Sequence, residues 1–220
     1  MKIIHKPRRE LRPHDLDGIS DDQIAQHWTL YEGYVKNVNL LEEKADALAR
    51  REDYGPEFAE LKRRSGFEYN GMILHEYYFG VLRGAQPPLK ENSALAKQLD
   101  EGFGGFAGWK KQFAAIGRMR GTGWAILYYD PRRRNLTNVW ITSHEDGHPA
   151  GFVPILVMDV WEHAYMVDWG ADGRPDYIET FFKNVDWAKV ENAFHEAARL
   201  GADSTCGPRT RLSRLSAQSR

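Results

Sequence analysis

The chain is 220 residues long, 42% hydrophobic, 28% charged and 12% aromatic, with a formal net charge of −1, the profile of a globular protein with room for one large domain or two small ones. Cys206 is its single cysteine, which excludes an internal disulfide and an all-thiolate zinc or iron–sulfur site. No apolar stretch approaches the roughly 20 residues that cross a bilayer, so no membrane span is expected.

Residues 1–19 are rich in proline and charge and read as an irregular lead-in. Lys2, Lys6, Arg8, Arg9 and Arg12 are not followed by an apolar run of signal-peptide length, and a cytoplasmic protein is expected. Ser20 and Gln23 fit a capping box, in which the hydroxyl and the amide each satisfy a free backbone N–H, opening a helix at about Asp21. Ile24, His27, Tyr31, Tyr34, Val35, Val38, Leu41 and Ala45 then recur at helical spacing to about Arg50, where Tyr54-Gly55-Pro56 ends the run. A second helical pattern starts near Phe58 and passes through Leu61, Phe67, Tyr69, Met72, His75, Tyr78, Phe79 and Leu82 before Gly84. Two long helices with a short break predict an antiparallel hairpin.

Residues 85–92, with Pro87 and Pro88, read as a linker. Helical spacing resumes near Ser93, breaks around Gly102, Gly104 and Gly105, and continues through Trp109 and Phe113 to Ile116. Trp124–Tyr129 and Asn138–Thr142 have strand character with a polar turn between them, and Phe152–Met158 is a third, fully apolar strand. Arg174-Pro175-Asp176-Tyr177 opens a short helix, and Asp186 is placed to cap a last one from Trp187 to about Leu200. Residues 201–220 hold Arg209, Arg211, Arg214 and Arg220 against Asp203 and almost no large apolar side chain, so a solvated, disordered basic tail is expected there rather than a nucleic-acid contact. The class predicted is α+β: a helical hairpin over 20–84, then an α/β domain over 93–200 with a small three-stranded antiparallel sheet.

The chemistry concentrates in Asp159-Val160-Trp161-Glu162-His163-Ala164-Tyr165. Asp159 emerges from the apolar third strand with a charge that an interior does not tolerate uncompensated, and His163 follows four residues later. A metal shared by the two would compensate it. His27 and His75 lie in the apolar stripes of the two hairpin arms, where they are either hydrogen-bonded core histidines or further ligands. Three imidazoles and one carboxylate suit a redox-active first-row ion such as iron or manganese.

The 159–165 string, with Arg174-Pro175-Asp176-Tyr177, Asn184-Val185-Asp186-Trp187, Gly121-Thr122-Gly123-Trp124 and the Tyr34-Val35-Lys36-Asn37-Val38-Asn39 segment after His27, resembles the iron/manganese superoxide dismutases over roughly residues 12–198. The resemblance implies one iron or manganese ion per chain held by His27, His75, Asp159 and His163. It also implies conversion of superoxide to dioxygen and hydrogen peroxide by alternating reduction and oxidation of that ion. Tyr34 matches the family's gateway hydrogen-bond donor, Trp124 and Trp161 its aromatic pocket walls, and Arg174 a channel-rim cation able to steer superoxide. Glu162 matches a carboxylate that reaches the partner subunit's ligand histidine, which implies a homodimer, or a tetramer built on it.

The sequence departs from that pattern in places. His27 and Tyr34 are one residue closer than usual, with Tyr31 where a histidine normally stands, and Met166 replaces the tyrosine that usually follows Tyr165. Gly71, four before His75, occupies the position where many iron enzymes carry glutamine and manganese enzymes glycine. The strand-side position used for that glutamine falls near Ser143 and His144, so His144 is the candidate to replace it, with His148 behind. A second reading is a metal-binding protein of this fold without dismutase activity, serving storage, sensing or a dimeric scaffold.

Overall fold

A computed structural model describes residues 4–204, with side chains to residue 200. The expected basic tail lies almost wholly outside these residues. Helix α1 (Asp21–Ala49) begins where the Ser20 hydroxyl accepts the Gln23 N–H at 3.0 Å, with Asp21 and Asp22 at the positive end of the helix dipole. The second half of the predicted capping box does not form. The Ser20 N–H goes to Asp168 Oδ2 at 2.8 Å, and the buried Gln23 amide turns inward.

Helix α2 (Pro56–Val81) starts two residues before the expected position, because Pro56 sits at the first helical position, where its missing N–H costs nothing. Its buried face is Glu68, Gly71, Met72, Leu74, His75, Tyr78, Phe79 and Val81, whereas Tyr69 lies on the flank and is exposed. The two helices pack along each other as the predicted hairpin. Gly71 makes room between them for Tyr34: a Cβ there would lie 2.6 Å from the Tyr34 ring.

Helices α3 (Ala94–Phe103) and α4 (Phe106–Gly117) are separated by Gly104 and Gly105, and Gly104 closes α3 in the left-handed conformation at φ 70°. The sheet runs β2 (Asn135–Ile141), β1 (Trp124–Asp130), β3 (Val153–Asp159), antiparallel throughout. β1 is central and buried along its whole length, which fits its apolar sequence. β2 begins earlier than predicted because Asp130 organises a tight turn: its carboxylate accepts the Arg132 N–H and its carbonyl the Arg134 N–H. The register sets Trp124 opposite Asp159, so the start of β1 and the end of β3 meet at one sheet end.

A 3-10 turn (Glu162–Ala164) and the short α5 (Met166–Trp169) lead to α6 (Arg174–Lys183) and α7 (Trp187–Ser204). The Leu82–Val185 bridge and the Arg83 N–H to Asn184 carbonyl bond (2.7 Å) tie the end of α2 to the α6–α7 connection. With α2 lying against β3 and α1 against the 3-10 turn, the hairpin closes over the sheet end that carries Asp159.

Candidate metal centre

Asp159 is fully buried, and its Oδ2 lies 3.0 Å from His27 Nε2, 3.0 Å from His163 Nε2 and 3.7 Å from His75 Nε2. Each residue arrives by a separate route: His27 from α1, His75 from α2, Asp159 from the end of β3, and His163 from the 3-10 turn that folds back over it. The other carboxylate oxygen accepts the Trp161 N–H at 2.8 Å, and the Asp159 carbonyl accepts the Tyr177 hydroxyl at 2.7 Å, so little freedom remains to the residue. The Gln23 amide donates to the His163 carbonyl (2.6 Å) and accepts the Val167 N–H (3.0 Å), fastening the turn to α1.

The residues fit a metal ion. One donor atom from each of His27, His75, Asp159 and His163 lies within 4.8 Å of the other three. His75 gives its Nδ1–H to the Gly71 carbonyl (2.6 Å), which fixes the tautomer and leaves the Nε2 lone pair facing the cluster. That Nε2, His27 Nδ1 and Trp161 Nε1 are, among the described residues, the buried side-chain polar atoms without a hydrogen-bond partner. Orphans are rare in protein interiors, and of these three His75 Nε2 faces the cluster, where a bound cation would complete it; His27 Nδ1 lies on the far side of its ring from the Asp159 contact, and the Trp161 indole N–H is only a donor.

The electrostatics agree. Burial pushes the His27 imidazole toward its neutral form, and burial together with the neighbouring His27 pushes His75 further the same way. Burial alone would raise the Asp159 carboxyl, but the facing His163 and His27 rings outweigh it and hold it well below the usual carboxylate range. A neutral His27, a neutral His75 and an ionised Asp159 are the protonation states in which these groups bind a metal.

Around the cluster lies a second ring of side chains. Trp124 donates its indole N–H to His144 Nδ1 at 3.1 Å, so the neutral His144 ring carries its proton on Nε2 and donates to the Tyr34 hydroxyl oxygen at 2.7 Å. Tyr34 thereby keeps its own proton free to donate onward. Burial, reinforced by the Asp159 charge, raises Tyr34 well above the ordinary phenol value and keeps that proton in place. His144 is buried, with its pKa lowered by burial to about 4. The Trp161 ring stacks on His163 at 5.8 Å and tilts against His144 at 5.0 Å, walling the pocket.

Three of the predicted positions make their polar contacts away from the cluster. The buried Tyr31 ring stacks on His75 at 6.4 Å, but its hydroxyl turns away, donating to Glu76 Oε1 (2.9 Å) and accepting the Arg8 N–H (2.9 Å), so it braces the lead-in against the hairpin. Arg174 gives Nη1 to the Met119 carbonyl (2.7 Å), Nη2 to the Gly121 carbonyl (2.8 Å) and Nε to the Tyr165 hydroxyl (3.3 Å), an anchored cation one layer away from the cluster. Glu162 is exposed, beside Met166 and Val167, which are also exposed. Sequence reasoning missed Gln23, Tyr177 and Tyr78, whose ring lies 5.1 Å from that of His27 and whose hydroxyl lies 3.1 Å from that of Tyr177. Gln23 had a signal, an amide on the apolar stripe of α1, which the capping-box reading absorbed.

A helical hairpin and a three-stranded sheet that close on one buried three-histidine, one-aspartate cluster define a mononuclear metalloprotein. Residues 91–193 match the family model described as iron/manganese superoxide dismutases, C-terminal domain. The chain is 37% identical over 207 residues to the iron superoxide dismutase of Aquifex pyrophilus, covering 89% of this chain and 94% of that one. It is 34% identical to the manganese superoxide dismutase of Haloarcula marismortui (84% of this chain, 92% of that one). It is likewise 34% identical to the iron superoxide dismutase of Methanothermobacter thermautotrophicus (86% and 91%). The chain belongs to the iron/manganese superoxide dismutase family.

Proposed function

We infer that the protein is a superoxide dismutase that uses one iron or manganese ion per chain. The observation that carries the reading is the convergence of three imidazole Nε2 atoms on one Asp159 oxygen in a buried site. Relatives named for iron and for manganese are about equally similar, so both ions are candidates. When bound, the ion supplies one-electron chemistry between its trivalent and divalent states.

The chain's own residues supply the rest. We assign His27, His75, Asp159 and His163 as the metal ligands, supported by their spacing and the unpartnered His75 Nε2. Tyr34 holds a proton at its hydroxyl for the reduced oxygen species, His144 orients that hydroxyl, and Trp124 and Trp161 exclude bulk water and fix the imidazoles. For Arg174, whose guanidinium is anchored on two carbonyls, we retain the role of a fixed positive charge at the rim. Tyr31 we place outside the proton-handling set. The reading of a metal-binding scaffold without dismutase activity is not favoured by the relatives.

We further propose a homodimer in which Glu162 meets the partner's ligand histidine. Support comes from the exposed run of Glu162, Met166 and Val167 directly after the ligand turn. A single cysteine among 220 residues suits the cytoplasm. We also keep 20–84 and 93–200 as the two structural units, joined by 85–92, where no helix or strand forms.

The test is metal analysis paired with inhibition of superoxide-dependent cytochrome c reduction, after separate reconstitution with iron and manganese. One ion per chain with activity is expected from at least one metal. Partners of metal ligands are worth roughly 10–100-fold in affinity, and Asp159→Ala, which removes a ligand outright, should cost at least that. Full activity in Asp159→Ala would overturn the site.

A further inference from the structure

His144 does not sit on a helix or strand. It lies in the loop between β2 and β3, directly after Ser143, whose φ of 55° is left-handed and costly for a residue with a side chain. A strained turn of this kind holds its shape only if its main chain is tied down. The base is closed by the Thr142–Asp146 bridge, with N–H to carbonyl distances of 3.1 and 3.3 Å. The His144 N–H reaches Glu145 Oε2 at 3.3 Å, a long and local contact. The short contact is at the other end of the peptide: His148 Nε2 lies 2.8 Å from the His144 carbonyl.

A carbonyl oxygen only accepts, so His148 carries its proton on Nε2 and its neutral Nδ1 is an acceptor. The Tyr128 hydroxyl stands 2.6 Å from that Nδ1 and donates to it. Burial keeps Tyr128 protonated, and it projects from β1, the central strand of the sheet, buried along its whole length. The donors therefore run in one direction, from the Tyr128 hydroxyl into His148 and from His148 into the backbone of the residue that orients Tyr34. Neither Tyr128 nor His148 belongs to the metal centre described above.

We propose that Tyr128 and His148 form a clamp that holds His144 where it donates to Tyr34, making His148 a positioning residue for the dismutase reaction. The proposal rests on the reading of the centre given under Proposed function. An imidazole replacing an amide beside Tyr34 has one N–H to give instead of two, so its direction tolerates less error. A loop histidine then needs the external support that the clamp supplies.

Three variants test it. His148→Phe keeps the ring and removes the N–H; His148→Gln keeps an N–H donor of similar reach; Tyr128→Phe removes one hydroxyl only. With metal content measured and full, His148→Phe should lower kcat about fivefold at unchanged KM, the weight of one neutral hydrogen bond. His148→Gln should recover to within about twofold of wild type by the same measure, and Tyr128→Phe should fall between. In the zinc-loaded protein, nitrogen-15 NMR of the ring nitrogens should show His144 protonated at Nε2 in a sharp signal that broadens in His148→Phe. A normal kcat together with a sharp His144 signal in His148→Phe overturns the clamp, as does failure of His148→Gln to recover what His148→Phe loses. If His148→Phe does not fold, Tyr128→Phe decides on the same two readouts. If the wild-type protein lacks dismutase activity, the NMR comparison still decides whether His148 orders His144.

Discussion

Gly71 shows how narrowly the centre is packed at the scale of single residues. It gives its carbonyl to His75 and leaves the space in which the Tyr34 ring lies, 2.6 Å from where a Cβ would stand. A glutamine at this position, as in many iron members of the family, could not coexist with Tyr34 as it is placed here. Gly71→Ala should destabilise the fold by about 1–3 kcal/mol, the usual cost of overpacking, and should displace Tyr34. Urea denaturation measures the first effect, and an unchanged midpoint would show that the helices separate more easily than the geometry implies. His144 gives a pH dependence with a definite sign. Its pKa is lowered from 6.5 to about 4 in the folded protein, so between those values the unfolded chain takes up a proton that the folded chain refuses. The His144 contribution to stability of the metal-free protein is therefore complete above pH 6.5 and is lost as pH drops toward 4, by up to about 1.4 kcal/mol per pH unit. His27 and His75, shifted the same way, steepen the loss. Equal denaturation midpoints at pH 7 and pH 5 would contradict this.

Whole elements were more legible than the contacts between them. The 3.6-residue stripes predicted α1 and α2, and the apolar runs predicted β1 and β3, because burial on one face writes itself into the spacing of a helix and burial on both faces into an uninterrupted strand; the half-buried β2 has no such run, and its predicted start falls three residues late. Of the four residues that meet at the centre, the apolar pattern nominated Asp159 and His163, while His27 and His75, each equally readable as a core histidine, were singled out through the family resemblance. What the sequence did not disclose is where a polar side chain turns once two elements meet. Gln23 fits the local capping pattern, yet its amide fastens α1 to the 3-10 turn through His163 and Val167, since burial at that spot made two long-range bonds available in place of one local bond. Tyr31 occupies a family position near the centre but points to Glu76 and Arg8, because the lead-in packs over it. Gln23→Ala leaves the Ser20 cap intact while removing both long-range bonds. It should cost about 1–3 kcal/mol, as for two neutral hydrogen bonds, and should lower metal affinity through the loosened His163. Calorimetry of the metal-free and loaded forms separates the two effects.

At the scale of the molecule, the exposed face of Glu162, Met166 and Val167 predicts self-association. Analytical ultracentrifugation should find a dimer at micromolar concentration, and Glu162→Lys should shift it toward monomer without emptying the metal site; a monomer in the parent protein would remove the partner contact from the account. Loading the ion should raise the thermal midpoint, because an ion bound only by the folded chain stabilises it by mass action. A difference of less than about 2 °C between metal-free and loaded protein, the low end of the shift that 1 kcal/mol produces in a chain of this size, would show that the centre is weakly filled.

His27 and Asp159 stand 132 residues apart in the chain yet 3.0 Å apart in the fold. An ion held by both is thus a reversible cross-link across one of the longest loops in the protein, and such a link acts on the unfolded ensemble as much as on the native one. No ligand pair from opposite sides of that loop exists until the hairpin has docked on the sheet. With these groups as ligands, the complete four-residue site forms only once the hairpin docks, so a substitution that weakens that docking should speed loss of the ion, which transfer of the metal to a chelator would measure.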